Sequence, residues 1–269
     1  MNMDVNECGA SPPLSAAALP DAAPVLAAMV RDAGRHALFL DVDGTLIDIA
    51  PTPDAVRVPD GLGGDIMRLV GRLGGALALV TGRSIAFADR LFAPHRFAMA
   101  GLHGAELRHP DGRIVATCPD AAFLRAVAML RAGARDLRDV VFEGKGAAVA
   151  LHFPLAREHR AAVEALMREA VGLAGPEWVL QRGKMLVELI PAAADKGRAV
   201  AAFMRETPFA GRIPIAVGDD LTDEDMFAAA IANGGRAIRI GVDVRPTLAS
   251  ARLQTPARLR AARASLAPA

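Results

Sequence analysis

The chain has 269 residues, 52% of them hydrophobic and 23% charged, and a formal net charge of +1. This length allows one large domain or two modest ones, and the balanced charge gives no reason to expect nucleic acid or a membrane surface as a partner. No apolar stretch is long enough to span a bilayer, and residues 1–20 lack the basic start of a signal peptide. Because Cys8 and Cys118 stand in no metal-like or redox-like spacing, we expect two unpaired thiols and a cytoplasmic protein.

The order of apolar segments predicts one core built from two separate stretches of chain. Residues 1–20 are rich in Ala, Pro and Ser without periodicity, so we expect a disordered leader there. Over residues 21–116, short apolar strands alternate with segments of helical periodicity, and the same pattern resumes over 192–269. This alternation is typical of an α/β fold, and we expect a Rossmann-like parallel sheet with helices on both faces.

The segment between these stretches, residues 117–191, has a different pattern. Strand pairs that read as hairpins, near 140–153 and 178–190, are combined with two amphipathic helices. Asp120 stands where its side chain would cap the first of these helices. We therefore expect a small α+β cap domain inserted into the core. A turn at 110–113 predicts one more hairpin just before it.

Polar clusters follow apolar strands or open helices at four places in the predicted core. These clusters are Asp41/Asp43, Thr81/Gly82, Lys196 and Asp219/Asp220/Asp223. In open α/β sheets, ligands bind outside the carboxyl ends of the strands, so we expect the four clusters to meet at one edge. Their combination of carboxylates, a hydroxyl and an ammonium suits a small anion together with a hard cation.

Asp41 and Asp43 end an apolar run, where a carboxylate is rarely buried unless it is paired or binds a metal. One aspartate can attack phosphorus to form an aspartyl-phosphate, and a second can donate and later accept a proton. We assign the attack to Asp41 and the proton transfer to Asp43. Mg²⁺ would supply the positive charge that the attack on an anion requires, with Asp219 as a further ligand supported by Asp220 and Asp223.

Lys196 adds a point charge for the phosphate, and Thr81 with the backbone N–H groups beside it, at Gly82, can hydrogen-bond phosphate oxygens. Each cluster alone has an ordinary structural explanation. A Thr-Gly pair is usually a turn, a lysine on a helix is usually solvated, and neighbouring aspartates often cap a helix, a role that we also expect of Thr222. The specific signal is the whole set in this order.

Residues 41–45, 81–84, 195–197 and 218–224 resemble the four motifs of the haloacid dehalogenase-like phosphatases. The inserted segment resembles the α/β cap of the sugar-phosphatase branch. Within that branch the chain is most similar to the bacterial trehalose-6-phosphate phosphatases, over roughly residues 36–265. All four motifs keep the family pattern.

This resemblance implies Mg²⁺-dependent hydrolysis of trehalose 6-phosphate. It makes Asp41 the nucleophile and a metal ligand, Asp43 the acid/base with its carbonyl oxygen on the metal, and Asp219 the remaining protein ligand. It also implies that the cap closes over a small-molecule sugar phosphate, and it implies no protein partner.

The candidates for sugar recognition are fewer and less specific. Lys184 and Glu188 are four residues apart on a predicted strand, so we expect them to share a face and to grip one glucose ring. Arg83 and Glu106 are expected at the border of core and cap, and His103 is either a substrate-binding residue or a packed turn histidine. The alternative for Lys184 and Glu188 is an ordinary surface pair. Weaker candidates are Glu143, Lys145 and His152.

Other functions fit the same core. A related sugar phosphatase, acting on sucrose phosphate or a mannosyl-phosphoglycerate, would differ only in cap residues. A non-catalytic sugar-phosphate sensor would have no need of the acid/base Asp43, and a receiver-type signalling domain would lack the long insert.

Overall fold

The computed structural model describes residues 14–15, 19–50, 55–183, 185–243 and 245–266. Lys184 and most of the predicted leader lie outside them. The strands are β1 (Leu14–Ser15), β2 (His36–Leu40), β3 (Leu77–Val80), β4 (Ala98–Gly101), β5 (Glu106–Arg108), β6 (Ile114–Ala116), β7 (Val141–Gly144), β8 (Val149–His152), β9 (Trp178–Gly183), β10 (Leu186–Pro191), β11 (Ile213–Gly218), β12 (Arg236–Ile240), β13 (Pro246–Thr247) and β14 (Ala251–Leu253). The helices are α1 (Ala23–Arg31), α2 (Leu62–Arg72), α3 (Ile85–Leu91), α4 (Ala121–Ala134), α5 (Arg160–Ala174), α6 (Lys196–Phe203), α7 (Asp223–Ala232) and α8 (Pro256–Leu266). Across these described ranges, no helix has the length and hydropathy needed to cross a membrane.

Strand β2, which ends directly before Asp41, lies inside an eight-stranded sheet of order β14-β12-β11-β2-β3-β4-β5-β6. The strands from β14 to β4 pair in parallel. At the other edge, β5 pairs antiparallel with β4 and forms with β6 the hairpin that the turn at 110–113 predicted. The predicted parallel core is confirmed. Strand β14 was not predicted from the sequence, since three residues are too few to show a period.

Alternation along β2 divides the core into two apolar layers. Leu38 and Leu40 belong to a cluster with helices α1, α2, α3 and α8, whereas Ala37 and Phe39 belong to a cluster with α6 and α7. Successive side chains of a strand point to opposite faces, so a strand covered on both sides has a continuous apolar sequence. Helices cover both faces of the sheet, as predicted. This burial on both sides explains why the run before Asp41 is uniformly apolar.

A separate antiparallel sheet of order β7-β8-β10-β9 carries helices α4 and α5 on one side. The ring of Phe123 in α4 stacks on Trp178 in β9, with centroids 3.8 Å apart. Asp120 caps α4 as predicted, its side chain accepting a hydrogen bond of 2.7 Å from the Phe123 N–H. The predicted α+β architecture of the inserted cap is therefore confirmed.

The close approach of β11 and β12 gives a test of this packing. A Cβ atom at Gly235 would overlap the carbonyl oxygen of Pro214 on the neighbouring strand. Because backbone cannot rotate away as a side chain can, we expect Gly235→Ala to lower the free energy of unfolding by about 2 kcal/mol or more in urea denaturation.

Gly172→Ala is the matched control, since Gly172 lies in α5 with open space at its Cβ position. There we expect stabilisation of about 0.5–1 kcal/mol from the better helix propensity of Ala. Equal denaturation midpoints for the two variants would contradict the described contact.

Candidate active site

The predicted polar clusters meet at the carboxyl edge of the central sheet. Asp41 follows β2, Thr81 follows β3 and Asp219 follows β11, and these three strands are neighbours. The backbone N–H of Asp41 donates to the Val217 carbonyl oxygen at 3.0 Å, which fixes the aspartate at the end of the strand ladder. Lys196, the first residue of α6, reaches this edge from the face covered by α6 and α7.

Lys196 joins two buried carboxylates. Its Nζ lies 2.7 Å from Asp41 Oδ1 and 2.6 Å from Asp223 Oδ1. Burial alone lowers the pKa of Lys196, but the two carboxylates raise it above its ordinary value, so the ammonium stays charged. Burial raises the pKa of Asp41 well above its ordinary value, and the nearby Asp223 and Asp219 add to this while Lys196 opposes it. One ammonium therefore does not compensate the three carboxylates.

Asp223 holds the loop that carries Asp219. Its Oδ2 accepts hydrogen bonds from the backbone N–H groups of Asp219 and Asp220 at 2.8 and 2.9 Å. A Cβ atom at Gly218 would overlap this carboxylate, which explains the glycine at the end of β11. Thr222 makes no capping hydrogen bond with its side chain, so the prediction that it caps α7 was wrong. Asp223 instead satisfies the N–H groups of the loop.

The carboxylates of this edge fit a divalent cation. Asp41, Asp219 and Asp223 offer oxygens that lie within 4.8 Å of one another. Burial is the main cause that raises the pKa of Asp219 to about 7, and the negative charges of Asp223 and Asp220 add to it. A Cβ atom at Gly44 would overlap Asp219, so glycine is required beside it. Oxygen ligands and excess negative charge are what Mg²⁺ requires. Asp41 and Asp219 would hold it directly, because both oxygens of Asp223 already accept hydrogen bonds.

Asp220, which was predicted to support Asp219, also lies close to an arginine on the surface. Its carboxylate is exposed, and its Oδ1 lies 3.3 Å from Nη1 of Arg245 on the surface. Its charge adds to the rise in the pKa of Asp219, and its support of that residue stays a prediction.

The structure pairs two residues that the sequence placed in different roles. Arg83 binds the carboxylate of Asp43 with two hydrogen bonds, Nε to Oδ2 at 2.6 Å and Nη2 to Oδ1 at 2.7 Å. The guanidinium also lies over the ring of Phe87, 4.4 Å from its centroid. With its side chain turned to Arg83, Asp43 has only its backbone carbonyl oxygen to offer to a metal. Arg83 was predicted to contact substrate, and here it contacts the predicted acid/base.

Thr81 and Gly82 form a buried turn beside Asp41. The Thr81 hydroxyl oxygen accepts a hydrogen bond from the Arg83 N–H at 3.1 Å, which leaves the hydroxyl proton to donate. A Cβ atom at Gly82 would lie only 2.6 Å from His103 Nε2, so the imidazole packs directly against this glycine. His103 itself has a positive φ of 57°, uncommon for a residue with a side chain, and its N–H donates to the Thr81 carbonyl oxygen at 3.0 Å.

His103 also connects the core to the cap. Its Nε2 lies 3.3 Å from Oε2 of Glu188 on β10 and 3.1 Å from Nε2 of Gln181 on β9. The other oxygen of Glu188, Oε1, accepts a hydrogen bond from Lys145 at 2.7 Å. Burial alone raises the pKa of Glu188, but Lys145 and His103 lower it well below its ordinary value. The predicted residues His103 and Glu188 are thus brought together, with Glu188 as a buried anion.

Lys184, the predicted partner of Glu188, lies outside the described residues. The described strand that carries Glu188 is β10, Leu186–Pro191. The role of Lys184 stays a prediction.

Glu106 lies at the border of core and cap, as expected, but one of its oxygens serves the fold. Oε2 accepts a hydrogen bond from the Ile85 N–H at 2.7 Å and so anchors the start of α3. Burial raises the pKa of Glu106, and this hydrogen bond lowers it less than burial raises it. Its Oε1 lies 3.9 Å from a Cβ atom built at Gly146, so it faces the cap loop.

Gln181 was not predicted from the sequence as a site residue. It stands directly opposite Glu188 in the β9–β10 ladder, and cross-strand partners lie on the same face of a sheet. The register of this hairpin would have indicated Gln181, but the register can be assigned only once the positions of both strands are known. The weaker candidates are also part of this cluster, since Glu143 lies 3.4 Å from Lys145 and 2.8 Å from His152.

Comparisons with known proteins identify relatives of this chain. The family model described as trehalose-phosphatase matches residues 39–258. A probable trehalose-phosphate phosphatase of Sinorhizobium fredii (strain NBRC 101917 / NGR234) is 50% identical over 242 residues, which cover 90% of this chain and 91% of that protein. The trehalose-6-phosphate phosphatase of Escherichia coli (strain K12) is 41% identical over 208 residues, covering 77% and 78% of the two chains.

Solved structures share the fold. The C-terminal domain of trehalose-6-phosphate phosphatase from C. albicans superposes with a TM-score of 0.78 at 20% identity, and the match covers 94% of this chain and 99% of that one. The resemblance of the four motifs is confirmed: the chain belongs to the trehalose-phosphatase family.

Proposed function

We propose that this protein hydrolyses trehalose 6-phosphate to trehalose and inorganic phosphate through an aspartyl-phosphate on Asp41. The observation that carries the proposal is the buried triad of Asp41, Lys196 and Asp223, with Asp219 beside it at the end of the sheet. The family model and the relatives named for this phosphatase support the substrate. Such an activity makes the protein a phosphoric monoester hydrolase. Its expected cytoplasmic location stays a prediction.

In the first step, Lys196, the Thr81 hydroxyl and the N–H of Gly82 bind the phosphate oxygens. Asp41 attacks phosphorus, and the bond between phosphorus and the sugar oxygen breaks. Asp43 donates a proton to that oxygen, so trehalose leaves neutral. Mg²⁺, when held by Asp41, Asp219 and the carbonyl oxygen of Asp43, supplies positive charge that reduces the repulsion between carboxylate and phosphate.

In the second step, water attacks the phosphorus of the aspartyl-phosphate, Asp43 takes the proton of that water, and Asp41 is regenerated with release of phosphate. Arg83 has a defined part in this cycle. Its two hydrogen bonds fix the orientation of the Asp43 side chain between turnovers, and Asp43 leaves this pair when it turns to the sugar oxygen.

Selection of the sugar is assigned to the cap, residues 117–191, and to the cluster around Glu188 and His103. A disaccharide carries many hydroxyl groups, and a cleft with buried polar side chains discriminates against ligands that leave those side chains unpaired.

A panel of substrates tests this function. We expect kcat/KM for trehalose 6-phosphate to exceed that for glucose 6-phosphate and sucrose 6-phosphate by at least about tenfold, because the smaller or differently shaped sugars leave polar groups unpaired. Release of phosphate is measured with Mg²⁺ present. Equal rates on a hexose phosphate would refute the assignment of substrate.

Asp41→Asn tests covalent catalysis. An amide cannot form the acyl phosphate, so we expect kcat to fall by at least about 10⁴-fold, the scale on which loss of a nucleophile acts in other enzymes. Asp136→Asn, an exposed aspartate of the cap, is the matched control and should keep wild-type kcat. Appreciable turnover by a folded Asp41→Asn variant would exclude this mechanism.

Removal and addition of metal test the cation site. Since a cation that binds only the folded state stabilises it, Mg²⁺ at 100 times its Kd should add about 2.7 kcal/mol to the free energy of unfolding, seen as a higher melting temperature. Asp219→Asn should abolish most of this increase, and chelation should silence the enzyme reversibly. Melting curves that do not respond to Mg²⁺, with activity retained in chelator, would contradict the metal site.

A further inference from the structure

An arginine interrupts the apolar strand β12 beside the loop that carries Asp219. Arg239 lies between Ile238 and Ile240, and its side chain is only 2% exposed. It stands opposite Gly218, the last residue of β11, in the parallel register of the two strands. Arginine is almost never fully buried unless it is paired, because its charge loses hydration. The guanidinium is therefore buried, at a cost, next to the start of the Asp219 loop.

Three groups around the guanidinium of Arg239 fix its orientation. Nη1 donates to Glu224 Oε1 at 3.2 Å and to the Asp220 carbonyl oxygen at the longer distance of 3.5 Å. Nη2 donates to Asp243 Oδ2 at 3.0 Å. The other oxygen of Glu224, Oε2, accepts a hydrogen bond from the Leu248 N–H at 2.8 Å. Arg239 thus connects β12 to the backbone of the Asp219 loop and to the first turn of α7.

The loop that begins at Asp219 is fixed by two different side chains. The Asp223 carboxylate accepts hydrogen bonds from the N–H groups of Asp219 and Asp220. Arg239 contacts the same short segment through the Asp220 carbonyl oxygen and through Glu224. Groups behind a metal ligand orient it, and a carboxylate binds a cation well only when its backbone is held in place.

Stability alone does not explain a charged residue at this position. Buried ion pairs add little net stability compared with apolar packing, because desolvation offsets their attraction. Arg239 Nε and Asp243 Oδ1 are buried and have no hydrogen-bond partner among the described residues, which adds to the cost of burial. Ala237, Ile238 and Ile240 of the same strand belong to the apolar clusters of the core. The groups that Arg239 orients therefore explain its presence better than packing does.

We propose that Arg239 is a positioning residue for the metal site: it fixes the backbone from which Asp219 binds Mg²⁺. It does so through Glu224 and the carbonyl oxygen of Asp220. This role deepens the proposed function and rests on it, since that function places Mg²⁺ at Asp219. Loss of Arg239 weakens the binding of Mg²⁺ and leaves the nucleophile Asp41 in place.

The affinity for Mg²⁺ is the main measurement, because it does not depend on turnover. The Kd of the full-length protein for Mg²⁺ is measured by isothermal titration calorimetry without substrate. Arg239→Met should raise this Kd by at least about tenfold, the usual effect of losing a group that orients a metal ligand. Extrapolated to saturating Mg²⁺, kcat for trehalose 6-phosphate should stay within about threefold of the wild-type value, since the reacting groups are unchanged.

Arg236→Met is the matched control, because Arg236 is an exposed arginine at the start of the same strand. It should change neither the Kd for Mg²⁺ nor kcat. In a Glu224→Ala background, Arg239→Met should raise the Kd by a smaller factor than in the wild-type background, because the main contact through which it acts is gone. A full additional effect in that background would overturn the proposal.

The melting temperature in metal-free buffer reports whether each variant is folded. If Arg239→Met does not fold, Arg239→Lys is measured in its place. This variant should also raise the Kd, since a single ammonium does not reproduce the fork that reaches both Glu224 and Asp243. An unchanged Kd for Mg²⁺ in a folded variant would overturn the proposal, whether or not kcat falls.

The wild-type protein separates this inference from the function on which it rests. If the wild type binds Mg²⁺ and Arg239→Met binds it equally well, only the role of Arg239 fails. If the wild type neither binds Mg²⁺ nor needs it for hydrolysis of trehalose 6-phosphate, the metal site of the proposed function fails and the role of Arg239 falls with it.

Discussion

The ammonium of Lys196 between Asp41 and Asp223 is the interaction on which the rest of the site depends. It joins the first residue of α6 to the end of β2 and to the first residue of α7, so three elements distant in sequence are fixed at one edge. Removing it would leave buried carboxylates without compensation, a cost of several kcal/mol. The negative charge of the edge is only partly compensated, since a single ammonium faces the carboxylates of Asp41, Asp219 and Asp223. A divalent cation would compensate this deficit, which is the role proposed for Mg²⁺.

A second charged cluster, in the cap, also places one cation between carboxylates. There Lys145 lies between Glu188 and Glu143, again one cation for two carboxylates. His103 connects the two clusters, because its ring packs on Gly82 of the core and meets Glu188 of the cap. The unfavourable backbone conformation of His103 is held by the structure around it, and such strain is commonly found where a side chain must be aimed.

Much of the fold could be predicted from the sequence, because it follows from local patterns. Continuous apolar runs before Asp41 and Asp219, together with the change of pattern after residue 116, were enough to predict the parallel sheet and the inserted cap. The contacts within the site were harder to predict from the sequence than the fold was. The pairing of Asp43 with Arg83 spans 40 positions, and that of Glu188 with Gln181 depends on hairpin register, so neither leaves a periodic signal. Strand β14 was not predicted because a strand of three residues shows no periodic pattern.

If the sites act as proposed, the single imidazole that contacts both the turn at Gly82 and the cluster around Glu188 has a consequence for turnover. Only the intact sugar phosphate spans both clusters at once, so its two halves bind as a linked pair and each raises the effective concentration of the other. Cleavage of the bond at phosphorus ends that linkage. Phosphate would then be held by the Lys196 edge alone and trehalose by the Glu188 cluster alone, so each product would dissociate from only part of the contacts. The geometry proposed to select the substrate would therefore also limit inhibition by its products.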